Sequence, residues 1–149
     1  MKIAVACDHA GFPLKKVVLD AVKECGDLPI DMGTNDETAV DYPDYSEKVG
    51  RLIQAGEADR GIIICGSGVG AGIAANKMNG IFAGVCHDTY SAHQGVEHDD
   101  MNVLCLGARV IGAELSREIV CSFLQARFLP EERHVRRVQK IRNLEIKYS

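Results

Sequence analysis

The chain has 149 residues, 46% of them apolar and 26% charged, which fits one globular domain long enough to bury its own core. Its formal net charge is −4 and no stretch of five or six like charges occurs, so composition gives no support to a nucleic-acid or anionic-membrane role. There is no long apolar span, and Met1-Lys2 leads straight into a strand pattern rather than a signal-type start, so a cytoplasmic protein is expected.

Short apolar runs alternate with helical patterns along the whole chain. The first run, Lys2–Cys7, is followed by a helix that Pro13 opens and that ends near Glu24, with Gly26 as its stop. The second run is Leu28–Met32. After it comes the longest irregular loop, Thr34–Asp41, which leads into Tyr42-Pro43 and a helix to about Ala55 closed by Gly56. Arg60–Cys65, Ile81–Cys86 and Val103–Leu106 are the remaining strand candidates. Helices are expected over about Val69–Met78, Thr89–Val96 and Ala113–Arg127, and a last one follows Pro130 over Glu132–Lys147. Continuous runs rich in β-branched residues suit strands covered on both faces. Their alternation with helices implies parallel crossover units. The prediction is a single α/β domain over residues 1–149, a doubly wound, Rossmann-like three-layer sandwich around a five-stranded parallel sheet in the order 2-1-3-4-5.

The six cysteines are Cys7, Cys25, Cys65, Cys86, Cys105 and Cys121. None forms a CxxC pair, so a zinc ribbon or a thioredoxin-like motif is absent. Small buried thiols in a reducing compartment account for most of them.

In open parallel sheets, ligands bind beyond the carboxyl ends of the strands where the strand order reverses. Polar residues gather there in this sequence. The first strand runs into Cys7-Asp8-His9, the third into Cys65-Gly66-Ser67-Gly68-Val69-Gly70, and the fourth into Cys86-His87-Asp88. With the first and third strands adjacent, Asp8, His9, Cys65 and Ser67 share one crevice. The glycine segment reads three ways. It weakly matches a dinucleotide fingerprint with Asp88 near the acidic position, it lacks the Gly-Lys-Ser/Thr of a P-loop, and it suits a nest of backbone N–H groups for an anion or a developing oxyanion. The nest is favoured over a plain tight turn. Cys65, just before a helix N-terminus, is expected to reach the thiolate near neutral pH and to act as a base beside a carbonyl. An inert strand-end cysteine, or a nucleophile partnered by His9 or His98, are the alternatives.

His93 and His98 are five apart and do not share a helical face, so no metal is expected. His98 lies before the fifth strand, either as a solvated loop residue or as a proton shuttle. Arg133 and Arg137 share a face of the last helix with His134 beside them, which suits a phosphate or simply a solvated face.

Taken together these residues resemble ribose-5-phosphate isomerase type B, the family that also includes galactose-6-phosphate isomerase subunits. The matching segments are Cys7-Asp8-His9-Ala10-Gly11, Val40-Asp41-Tyr42-Pro43-Asp44-Tyr45, Ile64-Cys65-Gly66-Ser67-Gly68-Val69-Gly70 on to Ala74-Ala75-Asn76-Lys77, Asn102-Val103-Leu104, and Arg133-His134 with Arg137. The resemblance implies that Cys65 moves the proton between carbons 2 and 1 of the opened sugar. Ser67 and the amides around Gly66, Gly68 and Gly70 would stabilise the enediolate. His98 would help open the furanose ring, and Asp8 would orient a hydroxyl with Tyr42 close by. His9, Arg109, Arg133, His134 and Arg137 would hold the phosphate, some of them reaching in from a second subunit of a homodimer or tetramer. One branch of the family carries a glutamate base where Ala71 stands here, so this chain falls in the cysteine branch. Asp99 departs from the asparagine usual after the ring-opening histidine; a carboxylate accepts where an amide donates.

The resemblance thus implies an aldose–ketose isomerase for ribose 5-phosphate and ribulose 5-phosphate, in the pentose phosphate pathway, without metal or nucleotide. The rivals are a six-carbon substrate (allose or galactose 6-phosphate, or a free sugar), a nucleotide-binding module built on Gly66–Gly72, and an inactive scaffold dimer.

Overall fold

The computed structural model describes residues 1–148; Ser149, the last residue of the expected domain, lies outside them. In chain order the elements are β1 (Lys2–Cys7), α1 (Phe12–Glu24), β2 (Leu28–Asp31), α2 (Tyr42–Gln54), β3 (Arg60–Cys65) and α3 (Val69–Ala75), then β4 (Ala83–Val85), α4 (Thr89–Asp99), β5 (Val103–Gly107), α5 (Ala113–Gln125) and α6 (Glu132–Lys147). Pro13 and Pro43 sit in the first turns of α1 and α2, where a missing N–H costs nothing.

The five strands form one parallel sheet in the order β2-β1-β3-β5-β4. This corrects the expected placing of the last two strands: β5 lies against β3, and β4 takes the edge. Burial explains the exchange. Every residue of β5 is buried, which suits an interior strand, whereas β4 has three residues, none fully buried, and Val85 is 40% exposed. The outer side of β4 is covered in part by Asn76. Its amide donates to the Ala83 carbonyl at 2.9 Å and accepts from the Ala83 N–H at 2.8 Å, pairing like a strand residue. The same side chain stands where α3 ends, three residues short of the expected Met78.

Alternate residues of the sheet face two cores, as strand geometry requires. Ile3, Val5, Ile62, Ile64, Leu104 and Leu106 pack with α1, α4 and α5 on one side. Ala4, Ala6, Ile63, Cys65, Val103 and Cys105 face α2 and α3 on the other. The smaller side chains on the second face let α3 sit close to the strand ends.

Cys25 at the end of α1 and Cys121 in α5 form a disulfide, with Cα atoms 6.0 Å apart. Sequence order hides this pair, because the two cysteines are 96 residues apart and only the side-by-side packing of α1 and α5 brings them together. Cys7, Cys65, Cys86 and Cys105 are free and buried. Burial pushes the Cys7 and Cys86 thiols up to about 11, and raises that of Cys105 further. Those three thiols stay protonated at neutral pH.

Candidate active site

A cleft of about 340 Å³ opens at the carboxyl ends of β1, β3 and β5. It is lined by Asp8, His9, Tyr42, Cys65, Ser67 and Arg109, with Ala10, Gly66, Gly70 and Val110 completing its wall.

Asp8 leaves the end of β1 and is 5% exposed; its Oδ1 accepts the Gly11 N–H at 2.9 Å. That bond starts a turn pressed against β3, because a Cβ on Gly11 would overlap the Ile64 carbonyl and come within 3.0 Å of the Cys65 nitrogen. The glycine lets β1 and β3 bring their ends together. His9 is held by the Val40 N–H, which donates to its Nδ1 at 3.1 Å. The same nitrogen lies 3.2 Å from the Val40 carbonyl, so the Val40 backbone holds the ring at the cleft wall.

Cys65 ends β3 and is 4% exposed. Gly68 follows with φ of +81°, and this left-handed turn aims its N–H at the Cys65 sulfur, 3.1 Å away. Ser67 is exposed, and its hydroxyl accepts the Val69 N–H at 3.3 Å. The glycine loop therefore already spends two of its amides on Cys65 and Ser67 side chains, and is less open than a bare nest. Tyr42 begins α2 and crosses the loop so closely that a Cβ on Gly70 would lie 2.7 Å from its ring.

Arg109 enters because β5 adjoins β3. The Ala108 N–H donates to the Cys65 carbonyl at 2.8 Å and the Arg109 N–H to the Gly66 carbonyl at 3.0 Å. These bonds set the guanidinium over Gly66, where it brings a positive charge to the cleft. The polar end of β4 stays out of the cleft. His87 accepts the Gly107 N–H at 2.9 Å, and Asp88 caps α4 through the Ser91 N–H at 2.6 Å, a bond that holds its carboxyl below the usual range. An Asp88 committed to capping is not offered to a ribose, which weighs against the nucleotide reading.

The remaining expected site residues form a separate group. α4 runs back antiparallel to the strands, so its last turn lies toward their amino ends. His98 is in that turn rather than in a loop, because α4 continues three residues past Val96 before Asp100 ends it at φ of +55°. Its ring stacks on His134 with centroids 4.2 Å apart. Arg133 and Arg137 are exposed on α6, with Arg133 paired to Glu131 at 2.9 Å, while His134 is 1% exposed. Asp99 borders a mostly apolar hollow with Phe82, Met101 and Ile141. Within one chain, then, the cleft group and the group of His98, Asp99, Arg133, His134 and Arg137 do not meet.

Sequence reasoning missed Lys15 and Gln94. Lys15 is 8% exposed; its Nζ donates to the Thr34 carbonyl at 2.7 Å and pairs with Asp31 at 3.0 Å. It tethers the loop that carries Val40 to His9. Nothing in its spacing sets it apart from other helix lysines. Gln94 hydrogen-bonds His98 one turn later, an i,i+4 relation that becomes visible only once His98 is placed in a helix. Among the described residues no group of three or more His, Cys, Asp or Glu could hold a metal ion, and no helix is long and apolar enough to cross a membrane.

An open parallel sheet with its polar cleft at the switch point defines a doubly wound α/β protein built to take a small ligand at the strand ends. The chain belongs to the ribose/galactose isomerase family, whose sequence model matches residues 3–141. It is 46% identical to ribose-5-phosphate isomerase B of Escherichia coli over 144 residues, 97% of this chain and 96% of that protein. It superposes on ribose-5-phosphate isomerase B of Clostridium thermocellum with a TM-score of 0.96 at 48% identity, over 100% of both chains. On the Mycoplasma genitalium ribose-5-phosphate isomerase B with bound ribulose-5-phosphate the TM-score is 0.90 at 36% identity, covering 98% of this chain and 97% of that one.

Proposed function

We propose that the protein interconverts ribose 5-phosphate and ribulose 5-phosphate by proton transfer through an enediolate, with Cys65 as the base. The observation that carries this is the Cys65 sulfur at the cleft, held by the Gly68 N–H at 3.1 Å, with Asp8, Ser67 and Arg109 around the same space. Once the sugar is open, the thiolate takes the proton from carbon 2 and the charge builds on the carbon 1 oxygen; that oxygen gains a proton as the carbon 2 hydroxyl loses one, and the thiol returns its proton to carbon 1 as the carbon 2 carbonyl forms. Ser67 and the amides of Gly66 and Gly70 are the donors nearest the developing charge. Asp8 orients a sugar hydroxyl, with Tyr42 beside it, and His9 and Arg109 take the phosphate at the cleft's rim. No step calls on a metal or nucleotide.

The second group belongs to the same reaction through a homodimer. His98, Arg133 and Arg137 of a second copy complete the cleft, His98 for ring opening and the arginines for phosphate. The support is that both arginines are exposed and lie away from their own cleft.

A ketose-detecting assay with ribose 5-phosphate, allose 6-phosphate and galactose 6-phosphate, each with and without EDTA, tests the substrate. Faster turnover of a six-carbon phosphate would replace the pentose reading, and saturable NAD binding without turnover would replace the isomerase. Mixing Cys65→Ala and His98→Ala subunits tests the shared site. Heterodimers rebuild one intact site, so roughly a quarter of wild-type activity should return. No recovery after subunit exchange would show that each chain works alone.

A further inference from the structure

The family resemblance sets His134 among the phosphate-holding residues, but its surroundings point elsewhere. Its Nδ1–H donates to the Leu129 carbonyl at 2.9 Å, and its Nε2 is buried with no hydrogen-bond partner. A phosphate could reach that nitrogen only if the first turn of α6 lifted away from α4. What the ring does touch is His98: centroids 4.2 Å apart, planes inclined by 23°. On the other side of the relationship, the Gln94 side-chain amide donates to His98 Nδ1 at 3.0 Å. With Nδ1 accepting, the His98 proton sits on Nε2. One neighbour thus sets the plane of His98 and the other its tautomer, while the Leu129 carbonyl fixes the plane of His134 in turn.

We propose that His134 is a positioning residue for His98, acting with Gln94 to hold that imidazole in one plane with its proton on Nε2, and that it is not a phosphate ligand. This rests on the reading of His98 as the group that assists ring opening. Opening moves one proton net, from O1 to the ring oxygen O4, as the C1–O4 bond breaks and the C1=O bond forms. An Nε2–H aimed at O4 stabilises the charge that builds there, and a loosened ring loses that aim. A buried stack that also spends its only N–H on the backbone is suited to holding a neighbour still. With the proton on Nδ1, the buried Nε2 carries only a lone pair and has no hydrogen to give a dianion.

The test separates ring opening from proton abstraction. Ribulose 5-phosphate stays open, because its O5 is esterified and its remaining hydroxyls are too near carbon 2 to close a furanose. Exchange of its carbon 1 proton for deuterium in D2O, followed by NMR, therefore needs Cys65 but no ring chemistry. His134→Ala should lower kcat on ribose 5-phosphate about 10- to 100-fold. KM should stay within about 2-fold of wild type and the exchange rate should be nearly unchanged. His134→Phe, which keeps a flat platform, should recover most of the lost turnover. A KM raised at least tenfold with exchange at subsaturating substrate weakened in parallel would make His134 a phosphate ligand and overturn the proposal. Equal loss of both readouts in the Ala and Phe variants would reduce it to a folding role. Should His134→Ala not fold, Gln94→Ala carries the test: the same selective loss supports the proposal and wild-type kinetics overturn it. His98→Ala is the control. If it keeps full turnover of ribose 5-phosphate, the ring-opening reading falls and takes this one with it. If it loses turnover while His134→Ala is wild type, only this one falls.

Discussion

Replacing Cys65 with alanine and with serine separates its chemical role from its structural one. The sulfur is buried and accepts the Gly68 N–H at 3.1 Å, so alanine removes the proposed base and also orphans a buried donor. An unpaired buried N–H costs about 1–3 kcal/mol. At about 2–4 °C per kcal/mol for a chain of this size, the melting temperature of Cys65→Ala should fall by roughly 2–12 °C. Serine can accept the same N–H, so Cys65→Ser should melt close to wild type. Neither variant has a base, since a serine hydroxyl keeps its proton at neutral pH, and general-base catalysis contributes about 10²–10⁴-fold. Both should therefore lose turnover by about that factor, and both should also lose carbon 1 exchange. Calorimetry together with a continuous ketose assay reads the two effects separately. If Cys65→Ser keeps turnover within tenfold of wild type, the base is another group. If the two variants melt together, the Gly68 bond has no measurable worth.

Two glycine-to-alanine changes should differ in kind. At Gly11 the new Cβ would overlap backbone of β3, which cannot yield, so denaturant melts should show a loss of about 3 kcal/mol. At Gly70 it would meet the Tyr42 ring at 2.7 Å, the end of a side chain 40% exposed and free to swing out, so stability should hold within about 1 kcal/mol while kcat/KM falls. Arg137→Ala should raise KM for the sugar phosphate tenfold or more with kcat little changed, because a phosphate anchor binds ground and transition states alike; unchanged kinetics would remove α6 from the site. Finally, burial lifts the Cys7 and Cys86 thiols from 9.0 to about 11. Between those values the unfolded chain binds fewer protons than the native one, so stability should be full below about pH 9 and fall toward pH 11. Melts across that range check it, and a flat profile would contradict the buried-thiol account.

Asp8, His9, Cys65 and Ser67 were legible because they follow strands directly. Asp8-His9 and Cys65-Gly66-Ser67 stand at chain positions where a parallel sheet must present its edge, and β1 and β3 have the bounds their apolar runs predict. Arg109 came only with the family resemblance, since what puts it over Gly66 is the insertion of β5 beside β3. His98 was misplaced in a loop because helix ends depend on a few local bonds; the turn at Asp100 is not written in an apolar period.

Local sequence determined the alternation of strands and helices, and with it the parallel sheet and the edge where the polar residues gather, since periodicity and proline or glycine stops act within a few residues. Only the tertiary structure decided the order of β4 and β5, the pairing of Cys25 with Cys121, and the burial of His134 against His98. Each of those joins segments distant along the chain, and such contacts are chosen by competition for burial among whole elements rather than by the pattern within any one of them.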